Sequence, residues 1–236
     1  MSERQSAQLN TADYHTLSFD CYGTLIDWEN GILDYLRPIL ESYDVHVIDE
    51  WILEFFAEHE PALQAQGGRY RKILSRLLEQ LGNRLAFAPN EAMLTGFASS
   101  IECWQPFPDT VPALSALRQN FTLVALSNID DDLFAISAEK MQNPFTHIIT
   151  AEQVGAYKPD KKMFKTLLKN EQGPILHVAQ SRYHDILPAT QMGLDTVWIN
   201  RPSLGAAKPV GAAQPVEAEP TWQFESMAEF SAAWSS

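Results

Sequence analysis

The sequence predicts an α/β protein, built as a doubly wound parallel sheet with an inserted α-helical cap. Three observations predict this class. A short apolar run ends in a carboxylate at residue 20, four helical patterns follow it without a strand, and beyond residue 106 short apolar runs alternate with helical patterns. Because strand and helix alternate in this last part, we expect right-handed crossovers and a sheet covered on both faces.

The first strand is predicted over residues 16–20, TLSFD, because this apolar run meets a turn at Gly23. Residues 29–105 then show apolar residues at helical spacing in four successive segments. We expect these segments to form a cap domain of residues 29–105, inserted into a core domain of residues 14–28 and 106–236.

The remaining elements follow in alternation. Helices are predicted over residues 110–118, 133–138, 161–168 and 186–191, and strands over residues 122–126, 146–150, 175–179 and 196–200. The stretch 202–220 is rich in Ala, Pro and Gly, which predicts an irregular linker, and residues 222–234 are predicted to dock back on the body.

Composition limits the partners. The 236 residues carry 17 Lys plus Arg against 30 Asp plus Glu, a formal net charge of -13, which argues against nucleic acid or an anionic membrane as a partner. Two cysteines, Cys21 and Cys103, make a disulfide framework unexpected and suit a reducing compartment. No apolar run approaches the roughly 20 residues of a membrane helix, and the first fifteen residues hold no apolar leader, so we expect a cytoplasmic protein.

Polar side chains follow four of the predicted strands. In an open parallel sheet, ligands bind beyond the carboxyl ends of the strands, so these side chains are expected to share one edge. Each alone is readily explained as a turn residue, a helix cap or a solvated side chain, but together they predict a site. They are Asp20, Thr24, Ser127, Asn128, Lys158, Arg182 and Asp185.

The segments DCYGTL (20–25), LSN (126–128) and GAYKPD (155–160), followed by Asp185, resemble in order the motifs of the haloacid dehalogenase superfamily. The resemblance is closest to its L-2-haloacid dehalogenase (type II) branch, and it implies a Rossmann-like core. It also implies that Asp20 is the nucleophile and that Lys158 keeps Asp20 ionised. Asp185 matches the acidic position that supports the lysine and the hydrolytic water.

The same resemblance assigns binding roles to Thr24, Ser127 and Asn128, at positions that hold the substrate anion and the Asp20 carboxylate. Tyr22 stands two residues after the nucleophile, where phosphatases of the superfamily usually carry an aspartate that protonates the leaving alcohol. Halide leaves as a stable anion and needs no such proton. The implied reaction is hydrolytic dehalogenation of a short, anionic 2-haloacid through an aspartyl ester, without a cofactor.

The sequence departs from the branch at two positions. The branch binds the departing halide with a cap arginine, but no Arg or Lys lies between Arg37 and Arg69. Arg69 or Arg71 could take that role, although an exposed helix face explains them equally well. Arg182 replaces an asparagine of the branch and is a candidate ligand for the substrate carboxylate. An apolar wall over Asp20 is expected from one or more of Trp28, Phe55, Phe56 and Trp104.

Two further hypotheses stay open at this stage. One is a phosphohydrolase that acts on a small phosphate ester and depends on Mg²⁺ held by Asp20, the Tyr22 carbonyl and Asp185. The other is a non-catalytic binding protein with the same fold. Because the branch is often dimeric, a homodimer is a further alternative.

Overall fold

A computed structural model describes residues 9–201 and 218–234 of the chain. Its core is a six-stranded parallel sheet with the order β3-β2-β1-β4-β5-β6, which confirms the predicted fold class. The strands are β1 Thr16–Phe19, β2 Thr122–Ser127, β3 His147–Thr150, β4 Ile175–Ala179, β5 Asp195–Ile199 and β6 Trp222–Phe224.

Four helices follow β1 before the chain reaches β2, and we call α1–α4 the helical insertion. They are α1 Trp28–Ser42, α2 Asp49–Gln64, α3 Tyr70–Arg84 and α4 Glu91–Ser100. The remaining helices cover the sheet and are α5 Thr110–Leu117, α6 Asp131–Lys140, α7 Ala151–Val154, α8 Lys161–Asn170, α9 Leu187–Gln191 and α10 Met227–Ala232. The boundaries of a separate cap domain at residues 29 and 105 stay a prediction.

Strand β1 lies at the centre of the sheet because all four of its residues are apolar or able to hydrogen bond within it. It pairs with β2 on one side and β4 on the other, with Ser18 opposite His177. Since all three strands are parallel, the residues that follow them meet at one edge. Asp20, Ser127 and the turn after Ala179 are therefore neighbours.

The chain leaves and re-enters the core at one place. Ile26 forms an antiparallel bridge with Pro106, the Asp27 amide donates to the Gln105 carbonyl (2.9 Å), and the Phe107 amide donates to the Leu25 carbonyl (3.0 Å). The two ends of the helical insertion are therefore held side by side.

The start of α3 is fixed by the core. No side chain of its own caps this helix, but the Asp130 carboxylate, ahead of α6, accepts from the amides of Tyr70 (2.9 Å) and Arg71 (3.2 Å). A carboxylate at a helix N-terminus satisfies amides that the helix leaves free. Asp130 thereby sets the position of the helical insertion over the sheet edge.

The structure adds three elements that the sequence did not predict: β6, the one-turn α7 and a π-helical turn at Arg182–Ile186, directly before α9. Most of the predicted linker at 202–220 lies outside the described residues. Residues 222–234 dock as predicted, with Trp234 buried against Phe121 (ring centroids 4.7 Å). Within the described residues, every helix is too short or too polar to cross a bilayer.

Candidate active site

Asp20 follows β1 directly and lies at the sheet edge, 7% exposed. Its Oδ1 accepts from Lys158 Nζ at 2.8 Å, and its Oδ2 accepts from the Thr24 hydroxyl at 2.6 Å. Thr24 Oγ1 in turn accepts from the Gln180 amide at 2.9 Å. Both carboxylate oxygens of Asp20 are therefore oriented by side chains that the sequence predicted for the site.

Lys158 is fully engaged by the protein. Its ammonium donates to Asp20 Oδ1 (2.8 Å), to Asp185 Oδ1 (2.6 Å) and to the Leu126 carbonyl (2.8 Å). An ammonium has three N–H bonds, so none remains for a ligand. Lys158 is 1% exposed, and it links the two carboxylates without contacting solvent.

Asp185 is held by a residue that the sequence analysis missed. His177, in the middle of β4, lies with Nε2 3.0 Å from Asp185 Oδ1 and with Nδ1 2.9 Å from Ser18 Oγ. Because a carboxylate only accepts, Nε2 carries the proton and Nδ1 accepts from Ser18. The signal was a polar residue inside the apolar run ILHVA. We call Asp20, Lys158, Asp185 and His177 the buried cluster.

The buried cluster separates the two carboxylates in acidity. Burial raises the pKa of Asp20, and the Lys158 ammonium opposes that rise. Burial also disfavours ionised Asp185, but Lys158 and His177 together hold the pKa of Asp185 below its ordinary value. The two carboxylates hold the pKa of Lys158 above its ordinary value despite burial. Asp20 is thus the more basic, and so the more nucleophilic, of the two carboxylates.

Asn128 and Tyr22 line the same pocket but use their polar groups on the protein. The Asn128 amide accepts from the Lys158 backbone N–H (2.6 Å) and donates to the Lys158 carbonyl (3.0 Å). Burial raises the pKa of Tyr22, and its hydroxyl lies 2.8 Å from Ser137 Oγ. Ser127 is fully buried and outside the pocket lining, and its hydroxyl has no partner among the described residues.

Arg182 is not brought to the site, contrary to the expectation from its position in the motif. The π-helical turn begins at Arg182, and the side chain leaves the edge towards β5. Its guanidinium lies over the Trp198 ring, 4.9 Å from the centroid, and donates to the Ala218 carbonyl. These contacts replace the predicted contact with substrate.

The two candidate arginines of the helical insertion are also directed elsewhere. Arg69 pairs with Asp132 (3.1 Å) and Glu152 (3.2 Å), and Arg71 pairs with Asp132 (3.0 Å) and Glu102 (3.1 Å). We call these residues, together with Asp130, the rim network. It joins the start of α3 to the core, and neither arginine lines the pocket that holds Asp20.

That pocket has a volume of about 80 Å³ and opens onto the buried cluster. Its apolar wall includes three of the predicted aromatic residues, Trp28, Phe56 and Trp104, whereas Phe55 lies outside the lining. The full lining is Asp20, Tyr22, Trp28, Ile32, Phe56, Ala57, Glu60, Gln64, Tyr70, Trp104, Asn128, Lys158, Gln180, Ser181, His184 and Asp185.

The helical insertion contributes a carboxyl group that the sequence analysis did not foresee. Glu60 accepts from the Tyr70 hydroxyl at 2.6 Å, and burial raises the pKa of Glu60. Three carboxyl groups and the occupied Lys158 thus surround the pocket, which offers no unpaired cationic side chain among its lining residues.

Three polar atoms of lining residues are buried and lack a partner in the described structure. They are Asp185 Oδ2, His184 Nε2 and Trp104 Nε1. Burial lowers the pKa of His184 to about 4, so this imidazole is neutral at pH 7. Buried polar atoms are normally paired, so these three mark where a ligand or water binds.

In the part of the chain that the structure describes, no group of three or more His, Cys, Asp or Glu side chains is arranged to hold a metal ion. The available oxygen donors are Asp20, the Tyr22 carbonyl and the unpartnered Oδ2 of Asp185. Such hard donors suit Mg²⁺, which commonly uses one or two carboxylates and completes its shell with water and phosphate.

Comparisons with known proteins agree with this geometry. A family model described as haloacid dehalogenase-like hydrolase matches residues 14–179. Pyrimidine 5'-nucleotidase YjjG from Escherichia coli (strain K12) is 29% identical over 228 residues, covering 89% of this chain and 93% of that protein.

Solved structures share the fold over nearly the whole chain. The defluorinating L-2-haloacid dehalogenase Rha0230 superposes with a TM-score of 0.78 at 19% identity, covering 98% of this chain and 100% of that one. The L-2-haloacid dehalogenase from Xanthobacter autotrophicus with chloropropionic acid covalently bound gives 0.74 at 17% identity, covering 92% and 96%. At these identities the likeness is one of fold.

Proposed function

The chain belongs to the haloacid dehalogenase-like hydrolases and is therefore an enzyme, and from this premise we propose that it releases halide from a short 2-haloacid by covalent attack of Asp20. The non-catalytic alternative is set aside by the family. The observation that carries the proposal is the single ammonium of Lys158 between Asp20 and Asp185, at 2.8 and 2.6 Å. It holds the nucleophile ionised and in place without a metal.

The proposed reaction has two steps. Asp20 attacks the carbon that bears the halogen, the carbon–halogen bond breaks, and halide leaves with the bonding electrons while that carbon inverts. Water then attacks the aspartyl ester carbonyl and releases the 2-hydroxy acid. Asp185 Oδ2, which is buried and has no protein partner, is placed to accept a hydrogen bond from that water.

The choice of leaving group rests on Tyr22. Its hydroxyl contacts Ser137, and burial raises its pKa, so position 22 supplies no acid for a departing alcohol. Halide requires none, which favours dehalogenation over phosphate ester hydrolysis.

The volume of the pocket supports a small substrate. A cavity of about 150 Å³ holds benzene, so the volume of about 80 Å³ here suits an acid of two or three carbons and excludes a nucleotide in this conformation. We therefore propose a small anion as the ligand, with neither nucleic acid nor a membrane as partner. Cytoplasmic location and homodimer formation stay predictions.

Halide release from both enantiomers of 2-chloro- and 2-bromopropionate, measured in excess chelator, tests this proposal. We expect release by the wild type and a loss of at least about 10⁴-fold in Asp20→Asn, because the amide cannot attack. The wild type should also gain the mass of the acyl group in a single turnover. Absence of both signals from all four substrates would contradict dehalogenation.

A second candidate function is supported by the unpartnered Asp185 Oδ2 and by the nucleotidase relative. In this alternative, Asp20, the Tyr22 carbonyl and Asp185 would hold Mg²⁺, which supplies positive charge to a phosphate ester. Lys158 weakens it, because its ammonium already lies between the two carboxylates. Hydrolysis of p-nitrophenyl phosphate that requires added Mg²⁺ and stops with chelator would favour this candidate.

A further inference from the structure

The indole N–H of Trp104 is a buried donor without an acceptor beside the proposed nucleophile. Trp104 is 2% exposed, lines the pocket that contains Asp20, and its Nε1 has no hydrogen-bond partner among the described residues. An indole nitrogen only donates, so this atom is satisfied only by a bound acceptor. Leaving such a group unpaired in the protein interior is costly.

The proposed reaction creates an acceptor that the pocket otherwise cannot bind. Halide develops a full negative charge as it leaves, yet the pocket lining contains no arginine. The three N–H bonds of Lys158 are all occupied by Asp20, Asp185 and Leu126. A neutral donor must therefore stabilise the departing anion.

The position of the indole is built into the fold. A Cβ on Gly31 would lie 2.2–2.5 Å from the ring atoms of Trp104, so the ring rests directly on the α1 backbone where only glycine leaves space. The Tyr22 ring packs edge-on against it, with centroids 5.8 Å apart. Gly31 and Tyr22 are thus positioning residues for the indole.

We propose that Trp104 Nε1–H binds the departing halide, in the role that the family resemblance gives to an arginine which this chain lacks. The inference rests on the proposed dehalogenation for its leaving group. Its test with free bromide, however, is independent of turnover.

The first experiment titrates the ¹⁵N-labelled wild-type protein with sodium bromide, at constant ionic strength set with sodium gluconate. The chain has six tryptophans, and we expect one indole N–H signal to shift in a saturable way. Its absence from the spectrum of Trp104→Phe assigns that signal. If no indole signal shifts, the proposal is overturned, whether or not the variant folds.

The second experiment compares Trp104→Phe with Trp51→Phe, in which the lost indole stacks on Phe55 outside the pocket. A hydrogen bond to an anion predicts that Trp104→Phe weakens bromide binding and lowers kcat for 2-bromopropionate, each by about tenfold or more, with KM little changed. Trp51→Phe should match the wild type. Equal kcat and equal bromide affinity in the wild type and Trp104→Phe would overturn the inference alone.

The two proposals fail in distinguishable ways. A wild type that releases no halide, yet shows the bromide shift at Trp104, contradicts dehalogenation and supports an anion site at this indole. Halide release without any bromide effect at Trp104 supports dehalogenation and overturns the indole site.

Discussion

The protein uses two sets of ion pairs, and they differ chiefly in burial. In the buried cluster, Lys158 and Asp185 are each 1% exposed. In the rim network, Arg69 is 56% and Asp132 52% exposed. Because water screens exposed charges and is excluded from buried ones, the same chemistry gives a strong, rigid interaction in one region and a weak one in the other. We therefore expect the buried cluster to set reactivity and the rim network to set only how firmly the helical insertion is held.

Removing Lys158 should have the largest effect on stability. In Lys158→Met, two buried carboxylates lose their shared counter-charge, so we expect the free energy of unfolding to fall by about 3–5 kcal/mol. Urea denaturation at pH 7 measures this. Lys162→Met, which removes an exposed lysine of α8, is the matched control and should change little. Equal stability of the two variants would remove the contrast between the regions.

Acidification should expose the second difference. The folded-state pKa of His184 is about 4, below its ordinary 6.5, so the unfolded chain binds more protons between these values. Stability should therefore fall as pH drops from about 6.5 to 4, by up to about 1.4 kcal/mol per pH unit from this group. His184→Gln should flatten the slope, whereas His46→Gln, at an exposed histidine, should not. Identical slopes in all three proteins would refute the assignment.

Asp130 is the one buried member of the rim network and should rank between the two regions. Asp130→Ala removes the acceptor for the Tyr70 and Arg71 amides, which we expect to cost about 1–2 kcal/mol, as for other lost helix caps. Hydrogen exchange at these two amides should accelerate. Asp130→Asn keeps one acceptor oxygen and should retain part of the protection, and unchanged exchange in the alanine variant would show that the cap does not hold α3.

The smallest effect is expected at the exposed rim. Arg69→Gln breaks pairs with Asp132 and Glu152, and such exposed pairs contribute about 0.2–1 kcal/mol. Thermal unfolding at low and at about 1 M salt should show this difference only at low salt, since the Debye length falls to about 3 Å at 1 M. A loss comparable to that of Lys158→Met would contradict the ranking.

Local pattern predicted the strands and the residues at their ends, because a buried parallel strand needs a short apolar run and the turn after it needs polar residues. Asp20, Lys158 and Asp185 met at one edge for that reason. Strand β6 escaped prediction because its three residues pair only at the sheet margin, with β5. Glu60 and Trp104 could not be assigned, since their approach to Asp20 depends on tertiary contacts such as Asp130 with α3. Arg182 was misplaced because a π-helical turn is not visible in the pattern.

The bridge between Ile26 and Pro106 has a consequence for how such proteins diversify. Because the two ends of the intervening segment are hydrogen bonded to each other, residues 28–104 can be regarded as a cassette whose exchange leaves the reactive edge intact. Recombination at this pair of positions would join one aspartyl nucleophile to many different lids. Chimeras made there would change which molecules reach Asp20 without altering how it attacks.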